Sequence, residues 1–227
     1  MRIAEIFYSV QGEGGLVGVP SLFVRTSGCN LRCSWCDTPY TSWNPEGDDL
    51  SIGEIIARAE MLNAFPAAKH VVLTGGEPMI APAIVELSER FRERGMHITV
   101  ETAGTVFTPV ACDLMSISPK LSNSTPQGVF QDRHERLRQQ PEVLRRLMAG
   151  YDYQLKFVIA QEDDIDEVCA LVSLLNAPAG KVILMPEGIR ADILRERGVW
   201  LAELCKRNGF RFSPRLHVDL YGNRRGV

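Results

Sequence analysis

The chain has 227 residues, 45% of them hydrophobic and 23% charged, with a formal net charge of −3 at pH 7, which suits a single globular domain with a core of its own. That slight acidity argues against a general nucleic-acid surface, which is normally basic, and no apolar run approaches the roughly 20 residues of a membrane helix. The acidic Glu5 stands where a signal peptide would continue its apolar core, so the sequence predicts a cytoplasmic protein whose six cysteines stay reduced.

Residues 2–10 alternate as a strand does and break at Gln11-Gly12-Glu13-Gly14-Gly15. A glycine-rich stretch lets backbone approach a ligand, but it is also ordinary turn punctuation, and alone the second reading prevails. Residues 21–27 are predicted as the next strand. It carries Arg25 four residues before a cysteine; a strand arginine is usually a solvated surface residue, and this position adds weight to an anion-binding role. From Leu50 a helix is signalled by Ser51 as N-cap, Glu54 three residues on, and Ile52, Ile55, Ile56, Ala59 and Leu62 at helical spacing; Asn63 and Pro66 close it. A strand over His70–Thr74 runs into Gly75-Gly76-Glu77-Pro78, and a helix follows from about Ala81 to Arg94. Strands are predicted over His97–Thr102 and over Asp113–Ser118, the latter stopped by Pro119-Lys120. Residues 121–133 read as a polar loop or insertion, and Pro141 to Met148 as part of a helical region. Tyr153–Ile159 and Lys181–Met185 are predicted strands, with helices from about Asp163 to Leu175 and Ile189 to Arg207. After Phe210-Arg211-Phe212-Ser213 the tail to Val227 reads as irregular, either frayed or laid over an open mouth.

Strands alternating with helices predict a parallel sheet with helices outside it. About six β–α steps follow the first strand, fewer than closure needs, so the expected class is α/β, an open partial β/α barrel of about six parallel strands. Functional residues in such folds sit at the carboxyl ends of strands. The cysteines, Thr74-Gly75-Gly76-Glu77-Pro78, Glu101-Thr102 and Ser118-Pro119-Lys120 all fall there, with Lys156 inside a later strand. Each has a plain reading as a turn or a solvated residue; their shared placement carries more weight than any one of them.

The loop Gly28-Cys29-Asn30-Leu31-Arg32-Cys33-Ser34-Trp35-Cys36-Asp37-Thr38 holds three cysteines spaced C-x3-C-x2-C. Thiolates this close can grip one small metal centre. A closed structural zinc site wants a fourth nitrogen or sulfur ligand, whereas a [4Fe–4S] cluster on three cysteines keeps one iron open for chemistry. Cys112, Cys169 and Cys205 lie far apart in apolar surroundings and read as small buried hydrophobes.

With Trp35 just before the third cysteine, the motif resembles the signature of the radical S-adenosylmethionine (SAM) superfamily. The chain as a whole resembles the 7-carboxy-7-deazaguanine synthase family. Glu5-Ile6-Phe7, Gln11-Gly12-Glu13-Gly14, Gly18-x-Pro20, Phe23-Val24-Arg25, the cysteine loop, Thr74-Gly75-Gly76-Glu77-Pro78, Glu101-Thr102-Gly104, Ser118-Pro119-Lys120 and Arg225-Gly226 carry that resemblance. It implies one radical SAM core over residues 1–227, with residues 1–20 as a substrate-binding extension, 28–38 as the cluster loop and 208–227 as a tail. Cys29, Cys33 and Cys36 would hold a [4Fe–4S] cluster and Thr38 a magnesium ion. Trp35, Cys36, Asp37, Gly76, Glu77, Ser118, Pro119, Lys120 and Lys156 would contact SAM. Val10, Gln11, Gly12, Glu13, Arg25, Thr74, His217 and Val227 would contact substrate.

The chemistry suits these types. A glycine turn offers carbonyl acceptors to the SAM ammonium without a side chain in the way, and a guanidinium fork suits a pterin carboxylate. Glu13 has two readings, an acceptor for the amino-pyrimidine edge and a solvated turn residue. A lone histidine such as His217 is more often structural. One hydroxyl cannot hold magnesium without waters and a substrate oxygen. The implied reaction is radical ring contraction of 6-carboxy-5,6,7,8-tetrahydropterin to 7-carboxy-7-deazaguanine with loss of ammonia, a lyase step toward queuosine and other 7-deazapurines. Substrate hydrogen would go to a 5′-deoxyadenosyl radical and return, so that SAM is not consumed. A flavodoxin or ferredoxin as electron donor and a homodimer are implied likewise. Two rivals share the cysteine spacing. A glycyl-radical-enzyme activase is disfavoured by the Gln11–Gly14 turn and Arg25, and a non-catalytic iron–sulfur or zinc module by the missing fourth ligand.

Overall fold

The computed structural model describes residues 1–62 and 68–227. The first half contains β1 (Arg2–Val10), β2 (Pro20–Thr26), α1 (Pro39–Ser42), β3 (Asp48–Asp49), α2 (Ile52–Met61), β4 (His70–Gly75), α3 (Ile84–Arg92) and β5 (His97–Thr102). The second contains β6 (Leu114–Ile117), α4 (Gln131–Arg138), α5 (Pro141–Gly150), β7 (Tyr153–Ile159), α6 (Asp164–Leu175), β8 (Val182–Pro186), α7 (Ala191–Asn208), β9 (Arg211–Phe212) and α8 (Leu216–Tyr221). The strands form one sheet in the order β3-β1-β2-β4-β5-β6-β7-β8-β9, open at both edges. From β2 to β9 every pairing is parallel, as the alternation of strands and helices predicts. β1 departs from that pattern and pairs antiparallel with β2 and β3. Residues 11–19 are too few for the helical crossover that a parallel neighbour requires.

The two faces of the parallel strands differ in kind. Leu22 and Val24, Val71 and Leu73, Ile98 and Val100, Met115 and Ile117, Leu155 and Phe157, and Val182 and Leu184 all belong to one buried apolar core. Helices cover that face: α3 contacts β5, α6 contacts β7 and α7 contacts β8, contributing Leu87, Phe91, Val168, Leu171, Leu201 and Leu204. The alternate positions, Phe23, Arg25, Thr74, Glu101, Ser116, Lys156, Val158 and Met185, look the other way and line a cavity. Period-2 alternation along each strand thus separates a packing face from a working face. Of the three outlying cysteines, Cys205 is buried in the core as expected of a small hydrophobe, whereas Cys112, packed against that core, and Cys169 are only partly buried.

Ser51 caps α2 as its sequence predicts: Glu54 N donates to Ser51 Oγ (3.3 Å), and Ser51 N donates back to Glu54 Oε2 (2.8 Å). The expected stops at Asn63 and Pro66 lie outside the described residues. Helix α3 starts at Ile84 rather than Ala81, because Pro78–Ile80 form a 3-10 turn and Ala83 takes φ 62°. Part of the stretch expected to be a loop is α4, whose sequence QDRHERLR is too polar to show a helical stripe; His134 is its buried residue. The tail is not wholly irregular, since it forms α8, anchored by buried Val218. Among the described residues no helix is long and apolar enough to cross a membrane.

Candidate active site

The cavity at the carboxyl ends of the parallel strands has a volume of about 470 Å³. Its floor is the cysteine loop, which leaves β2 through Gly28 (φ +111°). This loop has little regular structure, so its backbone polar groups find partners elsewhere. Trp43 Nε1 donates to Cys33 O (3.0 Å), Arg32 Nη1 to Cys29 O (2.8 Å), and Ser34 N to Ser124 O (2.8 Å). Gly76 explains the Gly-Gly spacing after β4. A Cβ there would lie 2.2 Å from Gly28 O and 2.7 Å from Thr41 O, so only glycine lets the two loops touch.

Cys29, Cys33 and Cys36 all face the cavity and none is in a disulfide. Burial pushes the Cys29 thiol up to about 11 and that of Cys33 up to about 12, with Lys120 opposing the shift. Lys120 also lies 5.7 Å from the centre of the Trp35 ring and brings positive charge to the loop. Among the described residues, no three His, Cys, Asp or Glu side chains converge as they would on a single ion. Three thiols of one loop spread around a cavity wall fit the corners of a cluster better than one zinc, and in that sense the residues present fit a [4Fe–4S] group.

A chain of alternating charge runs through the same cavity from Asp37, next to Cys36, with its middle members Glu13, Lys156 and Arg215 largely buried. Asp37 pairs with Arg215, whose Nε donates to Glu13 Oε1 at 3.0 Å. Lys156 Nζ donates to Glu13 Oε2 at 2.5 Å and sits 3.5 Å from Glu101 Oε1; Thr74 Oγ1 donates to Glu101 Oε2 at 2.8 Å. Burial alone would raise the Glu13 carboxyl, but Lys156 and Arg215 hold it well below the ordinary carboxylate range. Burial works against the charge on Lys156, yet Glu13 and Glu101 push its ammonium above the ordinary lysine value. Glu13 therefore stays ionised and Lys156 stays protonated near neutrality. At the rim, Arg25 Nε and Tyr40 OH both donate to Glu5 Oε2 (2.9 Å each).

The turn after β1 reaches across the open rim to the far strands. Gly14 N donates to Ser213 Oγ, Gly15 N to Gln154 Oε1 (2.8 Å each), and Leu216 N to Gly12 O (2.9 Å). His217 presses on Gly12 so closely that a Cβ there would lie 1.9 Å from its Nδ1. Burial lowers the His217 imidazole below its ordinary value. Residues 223–227 also line the cavity, and Arg225 Nη1 donates to Glu46 (2.8 Å) with its guanidinium 3.5 Å from the centre of the Tyr40 ring. Of the two readings of the tail, the structure therefore has it lying over the mouth.

Nearly all the residues expected from sequence meet in this cavity: Val10, Gln11, Gly12, Glu13, Arg25, Trp35, Asp37, Thr38, Thr74, Gly76, Ser118, Lys120, Lys156, His217 and Val227 join the cysteines. Pro119 and Glu77 do not line it. The Glu77 side chain is fully buried and accepts from Thr102 Oγ1 (2.7 Å), Ala103 N (2.8 Å) and Met79 N (3.1 Å). It ties the β4 turn to the end of β5 instead of facing a ligand. Lys156, expected beside SAM, is held against the Gln11–Gly15 turn through Glu13. Arg215 escaped sequence reasoning, because its partners Asp37 and Glu13 lie 178 and 202 residues away and no local pattern marks it.

Comparison with known proteins gives a consistent picture. The Radical SAM superfamily is matched by residues 23–158, from within β2 to within β7. The 7-carboxy-7-deazaguanine synthase of Rhodopirellula baltica is 43% identical over all of this chain and 89% of its own length. That of Halobacterium salinarum is 42% identical over 98% of this chain and 91% of its own. The crystal structure of QueE from Escherichia coli superposes with a TM-score of 0.69 at 25% identity, covering 95% of this chain and 94% of that one.

Proposed function

Because this chain belongs to the 7-carboxy-7-deazaguanine synthases of the radical SAM superfamily, we propose a division of labour between two parts of its cavity. The enzyme is a lyase that contracts the ring of 6-carboxy-5,6,7,8-tetrahydropterin to 7-carboxy-7-deazaguanine with loss of ammonia. The observation that carries the division is the meeting, in one cavity, of the three-cysteine loop and the buried charge chain on Glu13.

In the cysteine loop, Cys29, Cys33 and Cys36 would hold the [4Fe–4S] cluster, and the backbone of Gly76 with Ser118 and Lys120 would receive SAM. When bound, the cluster and SAM supply the one-electron chemistry that starts the reaction. In the charge chain, Glu13 stays ionised and accepts from the amino-pyrimidine edge of the pterin, while Gln11 and the Gly12 backbone complete that edge. Arg25 commits only its Nε to Glu5 among the hydrogen bonds of the described residues, which leaves its two Nη groups for the substrate carboxylate. Thr38 Oγ1, which lines the cavity, would give a magnesium ion one oxygen ligand. Lys156 holds its proton and steadies Glu13; it is not a base. The tail over the mouth excludes water. The same reading calls for a flavodoxin- or ferredoxin-class donor, a homodimer, and a cytoplasmic setting that keeps the six free cysteines reduced.

The decisive experiment is an anaerobic assay of iron-reconstituted protein with SAM, magnesium, reductant and the pterin, following product by mass. Many turnovers of 7-carboxy-7-deazaguanine per SAM support the proposal. SAM cleavage without that product would overturn the pterin half and leave the radical half standing.

A further inference from the structure

Arg215 joins the cysteine loop, the turn after β1 and the loop after β8. It is 6% exposed and lies just before α8. Its Nε donates to Glu13 Oε1, one Nη donates to Asp37 and the other to the carbonyl of Gly188. An ionised carboxylate offers about four lone-pair sites over its two oxygens. Arg215 occupies one on Oε1 and Lys156 one on Oε2, leaving one free site on each oxygen. Two acceptors side by side match the adjacent N–H and NH2 donors of a 2-amino-4-oxo ring. A 2-oxo ring would set a carbonyl lone pair against the same carboxylate. The plane of that carboxylate decides the match, and the terminal torsion of a glutamate is intrinsically broad. Lys156, a point charge, fixes one oxygen in place; the rigid fork of Arg215, anchored on two further groups, fixes the plane.

We propose that Arg215 is a positioning residue that sets substrate specificity: by fixing the plane of Glu13 it makes the cavity select a 2-amino over a 2-oxo pterin ring. The inference rests on the pterin reading above and names the element that enforces it.

The test compares equilibrium binding of 6-carboxytetrahydropterin and its 2-oxo analogue to SAM-loaded wild type, Arg215→Lys and Glu13→Gln, with melting temperature and iron content as controls. The lysine keeps the charge and loses the fork. We expect the ratio of the two dissociation constants to fall on the order of tenfold in Arg215→Lys. Glu13→Gln should lower it similarly, and the double variant should lower it no further, because the two act as one unit. Should Arg215→Lys melt early, Asp37→Asn/Arg215→Gln leaves no unpaired charge on the loop side and reads the same ratio. A wild type that prefers the 2-amino ring while the Arg215 variants keep that preference in full overturns the inference alone. A wild type that binds neither ring removes the pterin reading and this inference with it.

Discussion

Glu77 and Glu13 are both carboxylates at the ends of strands, and only their partners tell them apart. Three donors that belong to the fold surround Glu77, whereas Glu13 is flanked by two cations and keeps acceptors open to the cavity. Changing Glu77→Gln would aim an amide N–H at the N–H of Ala103. The expected loss is about 2 kcal/mol of unfolding free energy, measurable by chemical denaturation; a loss of SAM affinity at unchanged stability would restore a ligand role to its side chain. Thr38→Ala should behave in the opposite way. Its hydroxyl makes two weak contacts, with Thr41 Oγ1 at 3.4 Å and Cys36 Sγ at 3.9 Å, so melting should hold. The magnesium concentration for half-maximal activity should rise by roughly an order of magnitude, through loss of one of the ion's oxygen ligands; an unshifted magnesium titration would exclude Thr38 as a ligand. At this scale the sequence told which residues gather at the cavity but not where Glu77 and Lys156 point. A turn motif fixes the backbone path, while the direction of a side chain depends on neighbours such as Thr102 and Glu101, from another strand.

Among the elements, α2 illustrates what local spacing can carry. Ser51, Glu54 and an apolar stripe predict a capped helix, and Ile55, Ile56 and Ala59 are its buried face. Ser51→Ala should lower stability by about 1 kcal/mol, seen as a melting shift of a few degrees, and leave turnover unchanged because α2 contributes nothing to the cavity. Equal activity and equal melting would mean that the box is idle. The parallel strands were readable for a similar reason, as short apolar runs between turns. Their hidden alternation was not, because a strand buried on both faces, such as β7, looks uniformly apolar apart from Gln154 and Lys156. Helix α4 left no apolar stripe to find, since tertiary bonds hold it: Arg138 to Glu167, and His134 Nε2 to Ser124 Oγ. Antiparallel β1 likewise depends on a loop length and not on composition.

Across the whole molecule, the end of the sheet opposite the cavity contributes to the pH dependence of stability. His70 and His97 are register partners at the starts of β4 and β5, with ring centres 4.5 Å apart and neither Nδ1 hydrogen-bonded among the described residues. Burial and then His97 hold the His70 imidazole below its ordinary value of 6.5, against the opposing pull of Asp113. The unfolded chain therefore binds a proton at a pH where the folded one does not. This part of the stability is fully present above about pH 6.5 and is lost as the pH falls toward the folded-state value. Melting temperature should decline between about pH 7 and 5, and His70→Gln should make the decline shallower; an identical slope would clear the pair of any part in it. The overall α/β order was legible in the sequence, whereas contacts between residues near its two ends, such as Glu13 with Arg215, had no local trace.

The bridge from Glu13 to Arg215 also constrains synthesis. After Glu13 a ribosome adds 202 residues to reach and include Arg215, over roughly 10 to 40 s at ordinary elongation rates. Until the end of that interval the Gln11–Gly15 turn can rest on Gln154 and Lys156 of β7 but not on Ser213, Arg215 or Leu216. Arg215, His217 and residues 223–227 are therefore the last part of the cavity lining to be made. A messenger cut short before residue 215 yields a sheet that keeps its cysteine loop and strand-end residues but lacks the Arg215 anchor and the tail over the mouth.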